Sequence, residues 1–143
     1  MTPHITDIKV RGYHLDLYGH VNNARYLEFL EEGRWSFADE NIDSAAWERL
    51  GLAFSIVNIN INYRRPALAG KIIEIRTWIS RFGKASATIR QEILLKGTET
   101  AIADADVTFV LVDSKTGKPV PMSEDIQSTF KGGHGEVPSL ANR

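Results

Sequence analysis

Between Tyr26 and Phe37 the apolar residues recur at spacings of three and four, whereas beyond Gly51 they alternate with polar ones. The chain therefore changes from helical to extended periodicity. The predicted helix covers ARYLEFLEEGRWSFADE, with Asn22 or Asn23 as its cap, since either side chain can accept a backbone N–H left free in the first turn. Tyr26, Leu27, Leu30, Arg34 and Phe37 form the stripe expected to face a core, with Glu28, Glu31 and Glu32 largely opposite. Upstream, residues 5–11 are mixed and partly β-branched and predict a strand, which feeds a glycine-containing, histidine-rich turn over residues 12–20. Downstream, Asp43 or Ser44 is expected to cap a short second helix reaching Leu50, which Gly51 stops.

In FSIVNININYRRP, Val57, Ile59, Ile61 and Tyr63 alternate with Asn58, Asn60 and Asn62, which predicts a long strand ended by Pro66. Three further strands are expected over residues 71–81, 84–96 and 101–113, joined by short turns at Phe82 and Gly83 and at residues 97–99. A last strand edge at residues 118–122 and a short helix capped by Ser123 complete the order. One strand, one long helix and four strands in antiparallel succession make an α+β domain with a single antiparallel sheet and the helix against it. The helix covers only one face, so the other face or a sheet edge is expected to meet another subunit. The domain is expected to occupy residues 1–130, and residues 131–143, KGGHGEVPSLANR, have the composition of a frayed tail.

With 143 residues, 43% of them hydrophobic, the chain has room for one core and no second domain. Seventeen Lys and Arg against eighteen Asp and Glu leave a formal net charge of -1. Nothing global then draws the protein to nucleic acid or an anionic membrane, and an anionic ligand needs a local cluster. Cysteine is absent, which removes disulfides, thiolate metal sites and a Cys nucleophile together. The opening residues MTPHITDIKV do not read as a signal peptide, and no apolar run approaches the ~20 residues of a spanning helix. A cytoplasmic location is the expectation.

Ionisable and amide side chains concentrate between Tyr13 and Tyr26, just before the long helix begins. Free N–H groups and the positive end of the helix dipole can polarise a carbonyl oxygen there, and Asp16 lies close enough upstream to attack it or to activate water. By residue type alone Asp16 reads first as a turn former, because short polar residues dominate turns. His14, Asp16 and His20 invite a zinc reading, but two-residue spacing is a weak metal signal, and His20 before Asn-Asn suits a turn held by hydrogen bonds. Arg64 and Arg65 close the long strand, and Arg81, Lys84 and Ser86 surround the Phe82–Gly83 turn, so strand ends can offer cations to a phosphate or simply carry solvated charge. Trp35, Phe37 and Trp47 read as core or interface packing.

The run Asp16-Leu17-Tyr18-Gly19-His20-Val21-Asn22-Asn23-Ala24-Arg25-Tyr26 resembles the hotdog-fold acyl-CoA thioesterases of the 4-hydroxybenzoyl-CoA thioesterase type. Val57-Asn58-Ile59-Asn60-Ile61-Asn62-Tyr63-Arg64-Arg65-Pro66-Ala67 and Asn23-Ala24-Arg25-Tyr26-Leu27-Glu28-Phe29-Leu30-Glu31-Glu32 are similar to its bacterial long-chain branch. The resemblance spans about the first 115 residues. It implies a sheet wrapped around the long helix, subunits joined edge to edge as a dimer or dimer of dimers, and an active site between subunits. It further implies an acyl-CoA substrate, Asp16 as nucleophile or general base, and backbone N–H groups near Val21, Asn22 and Asn23 holding the thioester carbonyl. Arg81, Lys84 and Ser86 are then the expected contacts to the coenzyme A phosphates, with no cofactor and no metal. Leu27, Leu30 and Phe54 are candidates for the acyl tunnel. Acyl-carrier-protein thioesterase, non-catalytic acyl-CoA-binding subunit and hotdog dehydratase share the fold, and fold alone does not choose among them.

Overall fold

In the computed structural model, which describes residues 2–135, the order of elements is β1 (His4–Lys9), a single 3-10 turn (Gly12–His14), α1 (Asn23–Asn41), α2 (Ser44–Leu50), β2 (Leu52–Tyr63), β3 (Ile72–Phe82), β4 (Ala87–Leu95), β5 (Ala101–Asp113), β6 (Pro119–Val120) and α3 (Glu124–Gln127). The caps fall where short polar side chains allow them: Asn22 accepts from the Ala24 N–H, Asp43 from that of Ala46 and Ser123 from that of Ile126. Gly51 ends α2 in the left-handed conformation at φ 65°, ψ 35°.

All strand pairs are antiparallel and the sheet order is β1-β3-β4-β5-β2, with β6 joining β5 where its pairing with β4 stops. The strands β3, β4 and β5 form a meander, but β2 lies beside β5 rather than beside β3, so the segment from Arg64 to Lys71 crosses one end of the sheet. That crossing shapes the candidate site. The sheet curls around α1, and Ile73, Ile75, Ile79, Ile89, Ile93, Val107 and Phe109 of its inner face pack with Tyr26, Phe29, Leu30 and Phe37 of the helix.

The buried stripe of α1 differs from the one expected. Phe29 and Gly33 are inside, and Leu27 is exposed. Gly33 is needed there because a Cβ would lie 2.8 Å from Ile75 Cγ2 and 3.0 Å from Gln91 Nε2, so only glycine allows this close an approach to the sheet. Trp35 is 65% exposed and thus not core, while Trp47 is half-buried, its Nε1–H donating to Thr129 Oγ1 at 2.8 Å. The tail drawn from residue 131 is tied down over its described part. The Lys131 N–H donates to Asn41 O, the Ile79 N–H to Gly133 O and the Gly135 N–H to Ile79 O, which extends the β3 edge beyond β1. The remainder of that tail lies outside the described residues.

Candidate active site

Leu15 and Val21 pair antiparallel and close a tight loop over residues 16–20, in which the Asp16 N–H donates to His20 O at 2.7 Å. Gly19, at φ 76°, makes the reversal. One oxygen of Asp16, Oδ1, accepts from the Tyr18 N–H at 2.8 Å and the His20 N–H at 3.2 Å. The turn-former and catalytic readings of this residue are therefore compatible: Oδ1 holds the loop, while Oδ2 has no hydrogen bond among the described residues.

The loop delivers the chain to the start of α1, whose first-turn N–H groups have unequal fates. Val21 donates to Ala67 O at 3.0 Å, Asn22 to His14 O at 2.8 Å, Ala24 to the Asn22 side chain at 2.9 Å and Arg25 to Asn22 O at 2.8 Å. The Asn23 N–H alone has no acceptor there among the described residues. Of the three expected carbonyl-holding positions, Val21 and Asn22 spend their N–H groups on the fold and Asn23 keeps its own open. The 19-residue helix behind it adds a positive dipole end of roughly half a charge.

A brace that sequence reasoning missed fixes this junction. Tyr26, 3% exposed, accepts the Ala67 N–H on its hydroxyl at 3.1 Å, while Ala67 O receives the Val21 N–H. Burial pushes the Tyr26 phenol pKa up, opposed by the Ala67 hydrogen bond, so it stays protonated. Tyr63 O–H donates to Asn23 O at 3.2 Å from the end of β2. The only hint in the sequence was that Tyr26 lies on the apolar stripe, since its partner is 41 residues away.

The other predicted residues disperse. His14 is buried, its Nδ1 accepting from the Arg11 N–H at 2.8 Å and its ring edge-on to Phe29. Burial, with Arg25 next, lowers its pKa, so it is a neutral structural histidine. The His20 ring is exposed at the loop, and no cluster of three or more His, Asp or Glu side chains suited to a metal ion occurs among the described residues. Arg64 is not a free cation, because Asp104 binds its Nε at 2.9 Å. Arg81, Lys84 and Ser86 do surround the β3–β4 turn, but that turn lies at the opposite end of β3 from Asp16, about 30 Å of strand away. Within one chain the structure does not bring them to Asp16.

At that opposite end a cavity of about 670 Å³ lies between the C-terminal half of α1, α2 and the sheet, walled by Trp47, Phe54, Ile56, Ile79, Ile89 and Phe130. Of the tunnel candidates only Phe54 lines it, since Leu30 is sealed in the core and Leu27 is exposed outside.

The profile of the thioesterase-like superfamily matches residues 10–130. The chain is 48% identical over 127 residues to the long-chain acyl-CoA thioesterase FadM of Escherichia coli strain K12, covering 88% of this chain and 96% of that one. It is 30% identical over 140 residues to the acyl-acyl carrier protein thioesterase ATL2 of Arabidopsis thaliana, covering 97% and 73%. Among solved structures, the probable thioesterase YbaW of Escherichia coli superposes with a TM-score of 0.83 at 46% identity, covering 89% of this chain and 96% of that one.

Proposed function

Because the chain belongs to the thioesterase-like superfamily, we propose that it is an acyl-CoA thioesterase that releases free acid and coenzyme A, with long-chain fatty acyl-CoA as its main substrate. The observation that carries this reading is the pairing, at one loop–helix junction, of a carboxylate oxygen without a hydrogen bond and a helix N–H without an acceptor, among the described residues. The thioester carbonyl oxygen sits on the Asn23 N–H, whose stabilisation grows as the carbonyl becomes an oxyanion. Asp16 then acts in one of two ways. It takes a proton from water as the water adds to the carbonyl carbon, after which the adduct collapses with cleavage of the C–S bond and the proton passes to the leaving thiolate, or its Oδ2 attacks that carbon, expels the thiolate and leaves a mixed anhydride that water opens. Either route leaves carboxylic acid and coenzyme A thiol, with no cofactor and no metal.

The same reading makes the protein a cytoplasmic homo-oligomer. Supporting the homo-oligomer, β2 is a 12-residue sheet edge without a charged side chain, paired on one side only among the described residues and exposing Phe54, Val57 and Tyr63. A two-fold axis across that edge sets the Tyr63 end of one strand beside the Leu52 end of its mate. Asp16 of one subunit then approaches the cavity and the β3–β4 turn of the other, which is how Arg81, Lys84 and Ser86 reach the coenzyme A phosphates. A second reading, acyl-carrier-protein thioesterase, is favoured by the resemblance to ATL2.

The test is release of free thiol from acyl-CoAs of graded length and from acyl-carrier protein, with oligomeric state measured by sedimentation. Turnover of long-chain acyl-CoA by a dimer or tetramer supports the proposal. A monomer that releases no thiol refutes it, and turnover confined to acyl-carrier protein transfers the site to the second reading.

A further inference from the structure

The cavity between α1, α2 and the sheet has a mostly apolar lining, and Arg34 is the one cation among its lining residues. Gln91, completely buried, donates through Nε2 to Leu30 O at 2.9 Å and to Thr77 Oγ1 at 3.0 Å. Both amide hydrogens are thereby spent, and Oε1 is left facing Arg34, whose Nη1 donates to it at 3.1 Å. This is the guanidinium's only hydrogen bond, and it makes no ion pair, among the described residues. Burial lowers its pKa and Glu31 partly offsets this. A guanidinium carries five N–H groups in a rigid fork, so most of its donors are aimed from a fixed mount without a protein acceptor. Arg34 is only partly buried, so solvent can accept from these donors, and an acyl chain that excludes that solvent leaves them costly unless it brings an acceptor of its own. The rim also carries the carboxylates of Glu31, Asp39 and Glu48, so an added anion meets one cation against three negative groups.

We propose that Arg34 determines substrate specificity by donating a hydrogen bond to a neutral oxygen, hydroxyl or keto, on the acyl chain lying in this cavity. This rests on the thioesterase reading and narrows its substrates to oxygenated acyl-CoAs. Gln91 is the positioning residue that holds the fork in place.

The test compares acyl-CoAs of one chain length: saturated, hydroxylated or oxidised to a ketone at successive carbons, and ending in a carboxylate. For the wild type, kcat/KM for the best neutral oxygenated chain is expected to exceed the saturated one by about tenfold or more, with the carboxylate chain below it. Arg34→Met is expected to bring that ratio near one, and Arg34→Lys, which keeps charge without the fork, to lie between. A wild-type ratio within about twofold at every position overturns the proposal whether or not the variants fold, as does a ratio that Arg34→Met leaves intact. Turnover without discrimination removes only the role of Arg34, whereas absence of turnover on every acyl-CoA removes the thioesterase reading beneath it.

Discussion

Replacing Asp16 by Asn separates the turn-holding role of Oδ1 from the catalytic role proposed for Oδ2. Asn retains an Oδ1 able to accept from the Tyr18 and His20 N–H groups, so the loop over residues 16–20 keeps its hydrogen bonds, now to a neutral acceptor. The expected loss of stability is about 1 kcal/mol or less, the difference between hydrogen bonds to a charged and a neutral group at a partly exposed site. What disappears is the oxygen proposed as nucleophile or base. General-base catalysis contributes roughly 10²–10⁴-fold, which at 1.36 kcal/mol per decade is about 3–5 kcal/mol of barrier, and a nucleophilic role costs at least as much. Asp16→Ala removes chemistry and turn together, adding about 1–2 kcal/mol of destabilisation, comparable to loss of a cap. The assay is steady-state thiol release on the best acyl-CoA, with the urea midpoint measured in parallel. A kcat for Asp16→Asn within about threefold of wild type, at an unchanged midpoint, refutes the catalytic role and leaves Asp16 as a turn residue.

Asn23→Pro deletes the open N–H together with a side-chain amide that makes no hydrogen bond among the described residues, and the backbone accepts it because proline is tolerated at the first helical position and Asn22 already has a conformation (φ -59°, ψ 138°) suited to precede it. We expect kcat to fall roughly 10²–10³-fold with the thermal midpoint little changed, and an unaltered kcat excludes this N–H as the oxyanion donor. Tyr26→Phe leaves the Ala67 N–H buried without its acceptor and is expected to cost about 1–3 kcal/mol, read from the denaturant midpoint. Since the His14 pKa is lowered in the fold, the unfolded chain binds its proton first; stability is complete above pH 6.5 and falls as pH drops below it. Urea titrations from neutral to mildly acidic pH should show that slope, and His14→Leu should flatten it. Gly33→Leu drives a side chain into Ile75, Thr77 and Gln91, so we expect a loss of about 3 kcal/mol or more or failure to fold, checked by circular dichroism and thermal melting.

The elements were largely legible because their signals are local. Asn22, Asp43 and Ser123 act within three residues of themselves, Gly51 stops the helix it follows, and the alternation through Asn58, Asn60 and Asn62 marks an extended chain. The α1 stripe was less so. Leu27 and Phe29 are both apolar, and which of them enters the core depends on the rotation of the helix about its axis, set by how closely Gly33 sits on the sheet. Asp16 was legible as a candidate from its place before a helix, but that its oxygens divide between turn and solvent was not.

By itself the sequence determined an α+β domain, the approximate positions of its helices with one or two candidate caps each, and a concentration of ionisable and amide side chains just before the long helix, all of which are local features of the chain. Only the tertiary structure decided that β2 pairs with β5 and leaves an open edge, and that the crossing from Arg64 to Lys71 consumes the Val21 N–H and spares that of Asn23. It also decided that Arg81, Lys84 and Ser86 stand at the far end of the sheet and that Arg34 borders the cavity while held by Gln91. These are contacts between residues dozens of positions apart, and periodicity carries no information about which distant strand completes a sheet or which N–H a crossing loop will occupy.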